Sequence, residues 1–194
     1  RREDLDNPKF QGTKTNTNFD ASAGALTLTN PATNASGEYA FNTVLDLGGV
    51  FSLDLKRHFL SEGFYIGTLF DSRTALIDTW TDFDGADATA VNAKLLVATT
   101  QDDPSSGSPT FTAFQTFANG TYKGRGFKFK TELTSADPAQ NIRISQLGYT
   151  ATLLRRIEQS NNITSGGSVK NVTFDKYFCS PLTRTLETFS IVFP

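Results

Sequence analysis

Apolar and polar residues alternate with period two along most of this chain. Residues 24–29, GALTLT, alternate and are followed by the turn-rich stretch NPATNASG. Residues 38–48 put Tyr39, Phe41, Thr43, Leu45 and Leu47 on one face. Residues 50–60 put Phe51, Leu53, Leu55 and Phe59 on one face, with Ser52, Asp54, Lys56 and His58 on the other. This is the pattern of half-buried strands. Further strands are predicted over residues 93–100, 111–117 and 142–154. In RGFKFKTEL the same alternation sends Phe127, Phe129, Thr131 and Leu133 inward, and Lys128, Lys130 and Glu132 outward. Helical periodicity is missing. The best helical window, SRTALIDTWTDF at 72–83, is short and rich in Thr, and reads as a loop or a single turn.

Strands at this spacing, separated by Gly, Pro, Asn and Asp, predict an all-β fold, an antiparallel β-sandwich of the jelly-roll kind. The expected organisation is an N-terminal extension (1–23), the sandwich (24–154), a polar linker (155–168) and a C-terminal β arm or incomplete second β unit (169–194). A strand pair alone is not stable. The arm is therefore expected to pair with the sandwich or with another chain, and a homo-oligomer is the expected assembly.

Composition refines this picture. The chain has 17 Phe against 5 Tyr and 1 Trp. Phe buries a large area without a polar handle, so most of these rings belong in the core. The formal charge is −2, which supplies no global field for nucleic acid or an anionic membrane. No run of 18 apolar residues predicts a membrane-spanning helix. The opening RREDLDNPKF lacks the apolar core of a signal peptide, and the absence of Met reads as a fragment or a processed product.

Residues 122–133, YKGRGFKFKTEL, concentrate basic and aromatic residues. A single-strand nucleic-acid binder would expose its aromatics beside the charge. Here the alternation points the Phe residues away from the lysines, which favours a plain sandwich strand and no nucleic-acid partner. His58 is the only histidine and Cys179 the only cysteine. His58 reads as an exposed strand residue, and Cys179 as a small buried hydrophobe. Zinc is disfavoured, since one His and one Cys leave only carboxylates to complete the site.

The acidic stretch DTWTDFDGAD contains Asp78, Asp82, Asp84 and Asp87, the last three being the calcium candidates. These could supply calcium with carboxylate oxygens, but the glycine placement departs from the EF-hand loop, and a solvated acidic loop without cofactor is expected. Trp80 in the same stretch is either a core anchor or a sugar-stacking platform. The Asn-X-Ser/Thr triplets at Asn34, Asn119, Asn162 and Asn171 read as chance in an Asn- and Thr-rich chain.

The segments YAFNTVLDLGGVFSLDLKRHF, YKGRGFKFKTEL and NIRISQLGYTATL together resemble the skeleton of discoidin-type jelly rolls. The same skeleton resembles the C-terminal β-sandwich region of host-specificity and tail-tip proteins of tailed bacteriophages. The segments that carry this likeness are Asp46-Leu47-Gly48, Trp80, Gln101-Asp102-Asp103, residues 120–150 and residues 172–178, in that order. The resemblance spans residues 37–178. Longer family members also carry upstream ring-forming domains that this sequence does not contain.

The resemblance implies a non-enzymatic component of a phage tail tip, fibre or tube, located in the virion with other tail proteins. Host-surface contact would then use loops at one end of the sandwich. That points to residues 65–87 and 102–109, with Tyr65, Trp80, Asp82, Asp84, Asp102 and Asp103 as candidate contacts to a host glycan or protein. The rival reading is a carbohydrate-binding module of a secreted bacterial protein, because fold does not fix function. A glycosidase would need two carboxylates about 5–10 Å apart in a cleft, and ranks last.

Overall fold

The structure, a computed structural model, describes residues 1–66 and 88–153, together with the backbone of residues 170–171 and 190–191. Two compact units divide the chain, Arg1–Leu154 and Arg155–Pro194. The first unit is all-β and antiparallel, as the alternation predicts, and no helix occurs among the described residues. Nine strands build it: β1 Thr13–Thr15, β2 Thr17–Asp20, β3 Ala25–Leu28, β4 Ser36–Ala40, β5 Leu45–Tyr65, β6 Val91–Thr100, β7 Gln115–Thr116, β8 Gly120–Ser135 and β9 Gln140–Leu153. In the second unit a short antiparallel pair, β10 Lys170–Asn171 and β11 Ser190–Ile191, closes within the unit itself.

All nine strands belong to one hydrogen-bonded sheet, ordered β1-β4-β8-β5-β9-β3-β2, with β6 on β8 and β7 on β6. β5 makes the sheet continuous. Its first part pairs with β8 and its second part with β9, while Leu53–Leu55 pair with both. At the far margin β1 and β2 are consecutive in the chain. They turn at Asn16, whose φ of 52° lies in the left-handed region that Asn tolerates. Thr17 Oγ1 donates to Glu38 O there (3.1 Å). The sheet thus folds over itself and nearly closes.

Between its halves lies one core, containing Leu53 and Leu55 of β5, Phe127, Phe129 and Leu133 of β8, and Ile142, Ile144, Leu147 and Tyr149 of β9. Phe129 stacks on Tyr149 with ring centroids 4.1 Å apart and planes 19° from parallel. Phe117 and Phe41 pack on Phe129 at 5.4 and 5.8 Å. The Phe-rich composition therefore becomes a continuous run of aromatic contacts.

Three local features differ from simple alternation. Residues 38–48 and 50–60 read as two strands, but β5 passes through the glycines between them. Leu47–Val50 form a bulge in which four residues stand opposite Arg125 alone. Asp46 Oδ1 accepts from Gly48 N (2.8 Å), and Gly48 has φ 72°, a conformation that favours glycine. In β9 a second bulge at Ser145 shifts the inward positions from Ile142 and Ile144 to Leu147 and Tyr149. The predicted strand over 111–117 shrinks to the two residues of β7. Its phenylalanines recur every third residue, which no strand can keep on one face. Phe117 enters the core, while Phe111 and Phe114 meet the lysines of the outer face.

The first 23 residues belong to the compact unit that runs from Arg1 to Leu154. Residues 1–4 run along β9: Glu3 N donates to Leu147 O (2.8 Å), and Tyr149 N donates to Arg1 O (2.9 Å). Phe10 is fully buried. Glu3 is buried as well, a placement a carboxylate tolerates only when paired. Its Oε1 accepts from Arg1 Nε (2.7 Å) and its Oε2 from the Tyr39 hydroxyl. The Tyr39 oxygen in turn accepts from Gly12 N (2.7 Å). Burial first, and then the hydrogen bond to Glu3, push the Tyr39 hydroxyl far above its ordinary pKa, so it stays a donor.

Three substitutions test this packing by urea denaturation. Phe129→Ala should cost about 3–5 kcal/mol, whereas Lys128→Ala should change stability by no more than about 0.5 kcal/mol. The reverse ranking would mean that the β8 register is displaced by one residue. Tyr39→Phe should cost about 1–3 kcal/mol, because it leaves a Glu3 oxygen and the Gly12 amide unsatisfied. A neutral effect would show that the Glu3 carboxylate is satisfied without Tyr39.

Candidate binding surface beside the loop after β6

β8 carries the surface that positions most of the polar chemistry. Its inward residues alternate with outward ones, so Lys128 and Lys130 share the outer face of the sheet. The chain leaving β6 turns through residues 101–110 and returns along β6 as an edge segment. Thr112 N donates to Thr99 O (2.9 Å), and Thr99 N donates to Thr112 Oγ1 (3.0 Å). This return places Phe111 under Lys128, with Nζ 4.1 Å from the ring centroid. Phe114 lies under Lys130 at 4.7 Å. The aromatics beside the basic strip thus come from a neighbouring segment and not from β8 itself.

The loop is held by its own polar side chains. Thr100 Oγ1 donates to Thr110 O (2.7 Å), and Thr110 N donates to Asp102 Oδ2 (2.8 Å). Asp103 Oδ1 accepts from Ser105 N (2.9 Å) and Ser105 Oγ (2.6 Å), a local turn that Asp favours. Asp103 Oδ2 pairs with Arg125 Nη2 (2.6 Å), and Arg125 Nε reaches Asp46 Oδ1 (3.3 Å). Pro104 lies over Gly126, where any Cβ would collide with the proline ring. The glycine of the basic strip therefore serves close packing of this loop. A shallow open depression of about 330 Å³ remains between loop and edge segment, lined by Thr99 to Asp102 and Thr110 to Thr112.

Electrostatics on this face are mostly compensated. Lys130 bridges Glu38 (2.6 Å) and Glu132 (3.0 Å). Partial burial works against its charge, but these two hydrogen bonds outweigh it and raise its pKa. Asp103 sits below its ordinary carboxylate value, chiefly through the Ser105 hydroxyl and amide, with Arg125 adding to the effect.

Of the residues singled out from sequence, Asp102 and Asp103 lie in this loop as its internal braces. Tyr65 does not join them. It ends β5, where its hydroxyl accepts from Gln140 Nε2 (2.9 Å) beside the start of β9. β6 begins near that end, at Val91 opposite Ser135, and reaches Asp102 only after its full ten residues, about 30 Å. The described bases of the two loops thus lie at opposite ends of β6. Trp80, Asp82, Asp84, Asp87 and Cys179 lie outside the described residues. Among the described residues no three His, Cys, Asp or Glu side chains converge as a metal site. His58 is partly exposed on β5, with Nε2 2.8 Å from Thr150 Oγ1, and burial and neighbouring cations lower its pKa. Sequence reasoning did not single out Phe111 or Phe114 as surface residues, and named Gln101 only as part of the Gln-Asp-Asp segment. The three-residue spacing of the phenylalanines was the available signal for the first two.

Comparison with family models, with curated proteins and with solved structures returns no match to this chain.

The loop brace has a titration signature. A carboxylate whose folded pKa is depressed contributes stability above its unfolded pKa and loses it as pH falls through the folded value. Ser105→Ala should therefore move the Asp103 titration upward, toward the ordinary carboxylate value, as followed by carboxyl-carbon NMR. An unmoved titration would show that the Ser105 turn does not brace the loop.

Proposed function

We propose that the chain is a non-enzymatic structural module of a bacteriophage tail, in the tip, a fibre or the tube. It serves virion assembly, as a homo-oligomer among other tail proteins, and host-surface attachment. One observation carries this reading. Three of the five segments behind the family resemblance meet at one residue: Arg125, within the β8 motif, pairs with Asp46 of the Asp-Leu-Gly turn and with Asp103 of the Gln-Asp-Asp segment. Motifs scattered over some 80 residues in the chain thus have one physical reason to occur together, the locking of a bulge and a loop onto β8.

The secreted carbohydrate-binding module stays as the second reading, because the open depression beside Phe111 suits a ligand in either setting. Location separates the two. Antibodies against the chain should label the tails of intact particles in electron micrographs, and the chain should co-sediment with particles in a density gradient. Recovery of the chain in particle-free medium, with unlabelled tails, would overturn the tail reading in favour of the secreted module.

A further inference from the structure

The depression after β6 is bordered by polar groups that the fold itself does not use. Gln101 lines it, is exposed, and its side-chain amide makes no hydrogen bond among the described residues. Asp102 spends Oδ2 on the Thr110 amide and leaves Oδ1 without a partner there. Thr112 Oγ1 accepts from Thr99 N and keeps its own hydrogen to donate. Lys128 stands beside the depression, outside its lining. Arg125 and Lys130 each hold two carboxylates, whereas Lys128 pairs with none among the described residues and rests on the Phe111 ring.

These groups have a common complement. A sugar ring presents hydroxyls that both donate and accept, and a C–H face that packs on an aromatic ring. A free carboxylate oxygen, a free amide, a hydroxyl hydrogen and a half-buried phenylalanine line this one depression. Phosphate-rich ligands are served poorly, because they require several uncompensated cations, whereas the lining holds an Asp and no cation. An apolar peptide would leave Asp102 Oδ1 and Gln101 buried without partners. The volume, about 330 Å³, is at the small end of the range for small-molecule sites, about 300–1,000 Å³.

We infer that this depression binds a neutral hexopyranose unit of a polysaccharide, with Gln101, Asp102 and Thr112 on its hydroxyls and the Phe111 side chain against its C–H groups. The inference rests on the attachment half of the function proposed above and is independent of where the chain resides.

The test is affinity gel electrophoresis of the full chain in gels containing α- and β-linked glucans, galactans or mannans. Polygalacturonate and double-stranded DNA serve as acidic comparators. At least one neutral polysaccharide should retard the protein. Gln101→Ala should weaken that retardation about tenfold or more, and Phe111→Ala should do the same. Gln101 is exposed and unbonded, so its variant keeps the fold even where Phe111→Ala disturbs the edge segment. Retardation by no neutral polysaccharide, retardation by the acidic polymers alone, or neutral binding indifferent to Gln101→Ala would each overturn the inference. Labelled tails without sugar binding would sink this site and leave the tail assembly role. Sugar binding without labelled tails would do the opposite.

Discussion

The stack of Phe129 on Tyr149 is the contact on which the two halves of the sheet depend. Phe129 belongs to β8, which β4 and β5 flank on one side and β6 on the other. Tyr149 belongs to β9, which pairs with the far part of β5. The sheet is continuous, so hydrogen bonding alone would allow it to stay open. Burial of facing aromatic surface supplies the force that folds it over, and close packing makes the closure specific. Leu53 and Leu55 sit where β5 passes from one half to the other, and both are buried.

Residues 1–12 close a further part of this arrangement. A wholly buried Glu3 would be costly alone, and Arg1 and Tyr39 make it tolerable. Breaking that set removes a partner from a buried charge, so the segment is held by necessity as well as by contact area.

Much of this was legible in the sequence. Alternation in 127–133 assigned Phe127, Phe129, Thr131 and Leu133 to the inside, and all four are buried. It failed wherever one residue more or fewer entered a strand. The bulge at Ser145 reverses the inward parity of β9 with no composition cue. The bulge after Asp46 was visible as a glycine pair, but a glycine pair equally marks a strand end. The N-terminal segment was legible only as an extension ahead of the sandwich. Its pairing comes from long-range partners such as Leu147 and Tyr149, which local patterning does not reveal. The candidate surface was half legible. Asp102 and Asp103 were singled out, yet the approach of Phe111 to Lys128 depends on the chain reversing after β6.

That reversal also gives the basic strip its role. Arg125 and Lys130 are spent on carboxylates, Gly126 accommodates Pro104, and Lys128 stays available beside an aromatic ring. A charge run that reads as a solvated face becomes in part a brace, through Arg125 and Lys130. The structural and the binding proposals draw on different residues, which allows them to be tested separately.

Native-state hydrogen exchange tests the central claim most directly, namely that β8 and its stack on β9 hold the first unit together. The account predicts the slowest exchange, near the limit set by global unfolding, at the hydrogen-bonded amides around Phe127, Phe129 and Leu133 and at those of Leu147 and Tyr149. The amides of the short edge strand β7 should exchange much faster. Exchange in β8 as fast as in β7, or protection concentrated in β2 and β3 instead, would contradict it.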